Sequence, residues 1–187
     1  VALGTICDLV PLRNVNRLLV KKGLDILNLQ SNLGLAILKN KLNIIHPLKA
    51  SDLAYYIGPC INAAGRIGDS KLGFSLLVKE EKEELEKIAD KLIINNKERK
   101  TLETMAYKEA KKMANNFKNK NYIFVSSKNW HPGVIGIIAA KLVEDFKKPS
   151  KDFSFISRYS AIFTTLLSIT SLLKVRTYGI KIAFDKP

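Results

Sequence analysis

Apolar residues recur three and four apart along NRLLVKKGLDIL, LGLAILKN and SDLAYYIG, the beat of short amphipathic helices, with Ser51 placed to cap the third. Ahead of them VALGTICDLVPL opens with a short apolar run rich in β-formers and stops at Pro11, which predicts a buried strand with Asp8 near its end. From Glu83 to about Phe117 the positions Leu85, Ile88, Leu92, Leu102, Met105, Met113 and Phe117 keep a helical stripe free of proline and glycine. The segment NNKERKT interrupts that stripe. Asn95 or Asn96 and Arg99 hold its inward places, and polar groups facing inward require partners. YIFVSS, residues 122–127, predicts a second strand, and VIGIIAAKLVEDF a buried helix with Pro132 in its first turn. Strand, short loop and helix make a β-α unit, so the expected class is α/β.

Beyond Pro149 the pattern changes. Residues 151–187 hold nine Ser or Thr, whereas residues 1–150 hold ten. The uncharged run YSAIFTTLLSITSLL covers fifteen residues, short of the roughly 18–20 that span a bilayer, and hydroxyls dilute it, so no membrane segment is expected.

The chain has 187 residues, 47% of them apolar, which is enough for one full domain or two small ones. Thirty-one Lys and Arg against seventeen Asp and Glu give a net charge of +14, a balance that suits a polyanionic partner such as nucleic acid. An AT-rich genome inflates lysine too, so charge by itself does not decide. Two cysteines, Cys7 and Cys60, cannot build a disulfide framework, and with only His46 and His131 there is no Cys/His zinc pattern. No signal segment opens the chain, and it begins on Val1 rather than methionine, which leaves room for an upstream start. A cytoplasmic protein is expected.

Three places carry candidate chemistry. In GPCINAAGRIGD, Asn62 and Arg66 stand four apart with Gly65 between them, an amide and a guanidinium that can clamp a phosphate while small neighbours let a backbone come near. The competing reading is a helix that ends at Gly65 with a solvated arginine. In KNWHPGVIG, Trp130 and His131 precede a helix whose first amides lack helical partners, with Gly133 and Gly136 on its opening turn. His131 can donate to a phosphate oxygen and Trp130 can stack on a base or fill the core; the plain alternative is a β-α turn over a buried tryptophan. Asp8 at a strand end sits where ligands of α/β sheets gather, yet taken alone it reads first as a turn residue.

The order ALGTICDLVPL, GPCINAAGRIGD, a long helix with NNKERK, then WHPGVIGIIAAKL resembles the RecJ family of single-stranded-DNA exonucleases in the DHH phosphoesterase superfamily, over about residues 1–149. The resemblance implies a hydrolase that removes nucleotides from the 5′ end of single-stranded DNA with Mn²⁺ or Mg²⁺, in repair and recombination. It implies residues 1–82 as the end of a DHH-type parallel-sheet lobe, 83–118 as a connecting helix and 119–149 as the start of a DHH-associated nucleic-acid-binding domain. By motif, Asp8 corresponds to a metal ligand. Asn62, Gly65 and Arg66, and then His131, Gly133 and Gly136, are implied DNA-backbone contacts, with Asn96, Arg99 and Trp130 joining the nucleic-acid-binding set and Arg66 and His131 acting beside Asp8 at the cleaved phosphate.

Three departures qualify this. The Asp-His-His signature and the other metal ligands have no counterpart, so the chain alone is expected to be inactive unless a separately encoded N-terminal half supplies them. Cys60 stands where the family usually has arginine. After Pro149 a further strand and a glycine-serine-glycine-arginine-serine motif are missing, which suggests a frameshifted read-through over 150–187. Two other readings stay open: a non-catalytic nucleic-acid-binding remnant or degenerate gene product, and a small-nucleotide phosphodiesterase of the same superfamily.

Overall fold

The computed structural model describes residues 1–29, 32–117 and 119–148, and the backbone of 150–152. It divides between Lys100 and Thr101 into two compact units. The apolar run and, apart from the backbone of residues 150–152, the proposed read-through lie outside the described residues.

Unit 1 is built of helices joined by short loops, with no strand among its described residues. The expected opening strand is instead helix α1, Ala2–Cys7. A short apolar run does not by itself separate strand from helix, and here Ala2 and Ile6, four apart, turn the same way into the core. The helix ends in hydrogen bonds from Leu9 N–H to the Ile6 carbonyl and from Val10 N–H to the Thr5 carbonyl, with Leu9 left-handed at φ 54°. That is a Schellman turn, with leucine in the place glycine usually fills.

Helix α2, Asn14–Asn28, buries only Val20 fully. Helix α3, Leu33–Lys41, is capped by Asn32, whose side chain accepts from Leu35 N–H at 2.9 Å. A turn α4, Ala50–Asp52, runs through a π-helical turn, Leu53–Ile57, into α5, Gly58–Ile67. Lys49 rather than Ser51 precedes this helix, because buried Asp52 reaches back to accept from Lys49 N–H at 2.8 Å. Helix α6 covers Lys71–Val78. Leu35, Leu38, Leu53, Ile57, Leu76, Leu85 and Leu92 form the centre of one core.

Helix α7, Lys82–Ala114, is a single run of 33 residues, about 50 Å at 1.5 Å per residue. Leu85, Ile88 and Leu92 are buried as the stripe predicts, but further along Ala106, Ala110 and Ala114 form the buried face and Met105 is exposed.

Unit 2 holds a second core of those alanines with Ile123, Val125, Trp130, Val134, Ile138 and Leu142. Strand β1, Ile123–Val125, is followed by α8, Pro132–Phe146, and by β2, Ser150–Asp152, which pairs parallel to β1 with Ile123 opposite Ser150. The β-α unit forms as the sequence predicts, with Pro132 in the first turn. The strand expected to be missing after Pro149 is present over three residues. Main-chain pairing does not depend on side-chain identity, so a Ser-Lys-Asp segment can supply it.

Candidate nucleic-acid interface

The GPCINAAGR segment becomes helix α5, and its two faces divide the work. Gly58, Cys60, Ala63 and Ala64 point inward and are buried, while Asn62, Gly65 and Arg66 are exposed. Positions i, i+3 and i+4 share one face of a helix, so the amide, the glycine and the guanidinium lie side by side.

The inward residues are small because the packing leaves no room. A Cβ added at Gly58 would stand 2.7 Å from the Leu53 carbonyl oxygen and would also strike the Cys7 Sγ. That carbonyl belongs to the π-helical turn, and the Cys7 thiol donates to it at 3.8 Å. Cys7, read from sequence as a plain reduced thiol, thus helps close the junction of α1 with α5; nothing in the sequence spacing pairs it with position 53. Gly65 differs: its would-be Cβ meets nothing nearer than the Ser70 Cβ at 4.0 Å. The helix runs on to Ile67, so Gly65 does not end it. An exposed mid-helix glycine costs about 0.5–1 kcal/mol relative to alanine, and the fold gives no reason for it here.

Behind this face lies a buried polar pair. Cys60 is 1% exposed and Asn96 of α7 is 8% exposed. The Asn96 amide donates to the Cys60 Sγ at 3.3 Å, and its Oδ1 accepts from Arg99 Nε at 3.2 Å and Nη2 at 3.1 Å. Both ends of the amide are occupied, which meets the requirement for partners set by its inward place. Asn96 is thus buried against Cys60 and holds the Arg99 guanidinium through its Oδ1. Burial pushes the Cys60 thiol above its ordinary range, and the Asn96 hydrogen bond with the nearby Lys100 and Arg99 charges only partly opposes this. Cys60 is a neutral thiol wedged where α5 meets α7.

Asp8 ends α1 and is exposed. Among the described residues no group of three or more His, Cys, Asp or Glu is placed to hold a metal ion.

In unit 2, His131 is the N-cap of α8, its Nδ1 accepting from Gly133 N–H at 3.1 Å. A neutral ring that accepts through Nδ1 carries its proton on Nε2, which leaves that nitrogen as the donor. Gly136 is exposed, and a Cβ there would meet nothing within 4 Å. Trp130 is not available for stacking. It is 6% exposed within the second core, and its indole N–H donates to Glu109 Oε2 at 2.7 Å. Of the two readings offered for it, filling the core is the one the geometry serves; Glu109, 21 residues earlier on α7, is a partner no local motif announces. A second tie holds α7 to α8: the Tyr107 hydroxyl donates to Asp145, and Lys111 lies 2.5 Å from the same carboxylate. The hydrogen bond to Asp145 raises the Tyr107 hydroxyl, and the bonds from Lys111 and Tyr107 lower Asp145.

No protein-family model matches the chain. It is 35% identical over 151 residues to the single-stranded-DNA-specific exonuclease RecJ of Bacillus subtilis, a match covering 80% of this chain and 19% of that protein. The Haemophilus influenzae RecJ is 35% identical over 156 residues, covering 80% of this chain and 27% of that protein. The chain thus spans only about a fifth to a quarter of the length of the curated relatives it matches. A crystal structure of Thermus thermophilus RecJ in complex with Mn²⁺ superposes with a TM-score of 0.73 at 32% identity, covering 81% of this chain and 23% of that one. A structure of exonuclease RecJ bound to manganese gives 0.74 at 32% identity, over 81% of this chain and 38% of that one. Over about four-fifths of its length the chain is therefore RecJ-like in both sequence and fold.

Proposed function

We propose that the chain supplies part of the DNA-contacting surface of a RecJ-type, 5′-directed single-stranded-DNA exonuclease. Residues 1–82 correspond in this reading to the end of the catalytic lobe, 83–118 to the connecting helix and 119–149 to the start of the DHH-associated domain. The observation that carries it is the outward face of α5, where Asn62 and Arg66 flank an exposed glycine that the packing does not require. A phosphodiester backbone lying over Gly65 in van der Waals contact receives hydrogen bonds from the amide and the guanidinium. In unit 2, His131 offers Nε2–H to a second phosphate, and Gly136 leaves the same open approach.

The related RecJ structures hold Mn²⁺ or Mg²⁺. The residues here do not fit such an ion by themselves, since no group of three donors forms among the described residues. What this chain's residues do is bind and orient the backbone. The lack of a donor set favours, as a second reading, a module that binds nucleic acid without cutting it. Purified chain with Mn²⁺ and 5′-labelled single-stranded DNA separates the outcomes. Binding without nucleotide release is expected, and metal-dependent release abolished by Asp8→Ala would overturn the claim that the chain alone is inactive. A cytoplasmic location follows from the repair role proposed; no helix among the described residues is long and apolar enough to cross a membrane.

A further inference from the structure

A charged group on α7 fastens the loop that carries His131. Trp130, the residue before it, is buried in the second core, and its indole N–H donates to Glu109 Oε2 at 2.7 Å. Glu109 itself is exposed on α7. A carboxylate acceptor makes such a bond roughly twice as strong as a neutral one.

Local chemistry fixes only part of His131. Pro132 confines the residue before it to extended backbone, and His131 stands at φ −70° and ψ 130°. Gly133 N–H donates to Nδ1 at 3.1 Å, which leaves Nε2 on the far side of the ring. Those contacts lie within three residues and set the ring against the start of its own helix. They do not set where the loop stands against α7. That depends on Trp130, packed among Ala106 and Ala110 of α7 and Val134 of α8. Apolar packing of an indole tolerates sliding, whereas its N–H bond to a carboxylate is directional.

We propose that Glu109 is a positioning residue, whose bond to Trp130 fixes the loop and thereby places the His131 Nε2–H against a phosphate of single-stranded DNA. Sign separates this role from a purely electrostatic one. A carboxylate near a phosphate site repels the strand, so truncating it tightens binding if charge is all it contributes. Truncation weakens binding only if the bond outweighs the charge.

The inference rests on the reading of His131 as a phosphate donor, and fluorescence anisotropy of the full chain with labelled single-stranded oligothymidylate at low salt tests both. His131→Ala should weaken binding about tenfold, the worth of one charge-assisted hydrogen bond. Glu109→Ala should weaken it at least about threefold. Glu109→Gln keeps an acceptor for the indole N–H and drops the charge, so it should bind at least as tightly as wild type. Adding Glu109→Ala to His131→Ala should cost nothing further, since the ring it places is gone. Circular dichroism of every variant should match wild type. If His131→Ala binds like wild type, the phosphate-donor reading fails and this inference fails with it. If His131→Ala weakens binding while Glu109→Ala leaves it unchanged or tighter, this inference alone fails. It also fails if Glu109→Gln binds as weakly as Glu109→Ala. A Glu109→Ala loss that recurs in the His131→Ala background, or that comes with lost helical signal, marks general loosening of unit 2 and overturns it too.

Discussion

Replacing Gly65 by alanine separates a glycine kept for the fold from one kept for a ligand. The nearest heavy atom to the added Cβ is 4.0 Å away, an ordinary contact, and the residue lies inside α5, so nothing must move. Removing a mid-helix glycine stabilises by about 0.5–1 kcal/mol. For a unit of about one hundred residues, 1 kcal/mol shifts the midpoint by about 4–8 °C, so the unit 1 transition should rise by about 2–8 °C. On the proposed reading the same methyl would lift a DNA backbone off the helix and lengthen its hydrogen bonds with Asn62 and Arg66. Loss of one charge-assisted bond is worth about 1.5–3 kcal/mol, so affinity for single-stranded DNA should fall at least about tenfold. Circular-dichroism melting and fluorescence anisotropy at low salt read the two effects. A lower melting temperature would show that the fold needs the glycine. A higher one with unchanged affinity would refute the proposed close approach.

The counterpart at Gly58 should have the opposite sign: Gly58→Ala forces a Cβ against the Leu53 carbonyl and the Cys7 Sγ, and a loss of about 1–3 kcal/mol in chemical denaturation is expected. Asn96→Ala leaves the Cys60 thiol and the Arg99 guanidinium without their shared partner; about 1–3 kcal/mol of stability should go, and DNA affinity should fall as in Arg99→Ala. Trp130→Ala should cost unit 2 about 3–5 kcal/mol, read as loss of α8 amide protection in hydrogen exchange, with unit 1 protection unchanged. Burial raises both thiols above their ordinary 9.0, so the folded state holds those protons more tightly than the unfolded chain. Their stabilising contribution is complete below pH 9.0 and declines as pH rises through the folded values. Cys60→Ala should flatten that alkaline decline in urea titrations, and iodoacetamide should label half-buried Cys7 before Cys60.

The long helix, the β-α unit and the outward trio of α5 were legible because each rests on a local period or on motif spacing. Asn62, Gly65 and Arg66 share a face by helical geometry alone. The opening helix was not legible, since ALGTIC is too short for its period to speak and its identity is set by α2 and the π-helical turn packed against it. The same holds for Trp130, whose choice between stacking and core depends on Glu109 across the unit, and for Cys60, whose surroundings come from Asn96, 36 residues later. Inward polar places in NNKERK did announce that partners were needed; which partners is a tertiary fact.

The salt dependence of single-stranded-DNA binding by the full chain tests whether the outward face of α5 holds a DNA backbone. Each phosphate contact contributes a slope of about −0.7 in log affinity against log salt. Wild-type chain should bind with a clear negative slope, and Arg66→Ala should weaken binding and reduce the slope by about 0.7. Absence of binding at low salt, or an Arg66→Ala slope and affinity equal to wild type, would contradict the account.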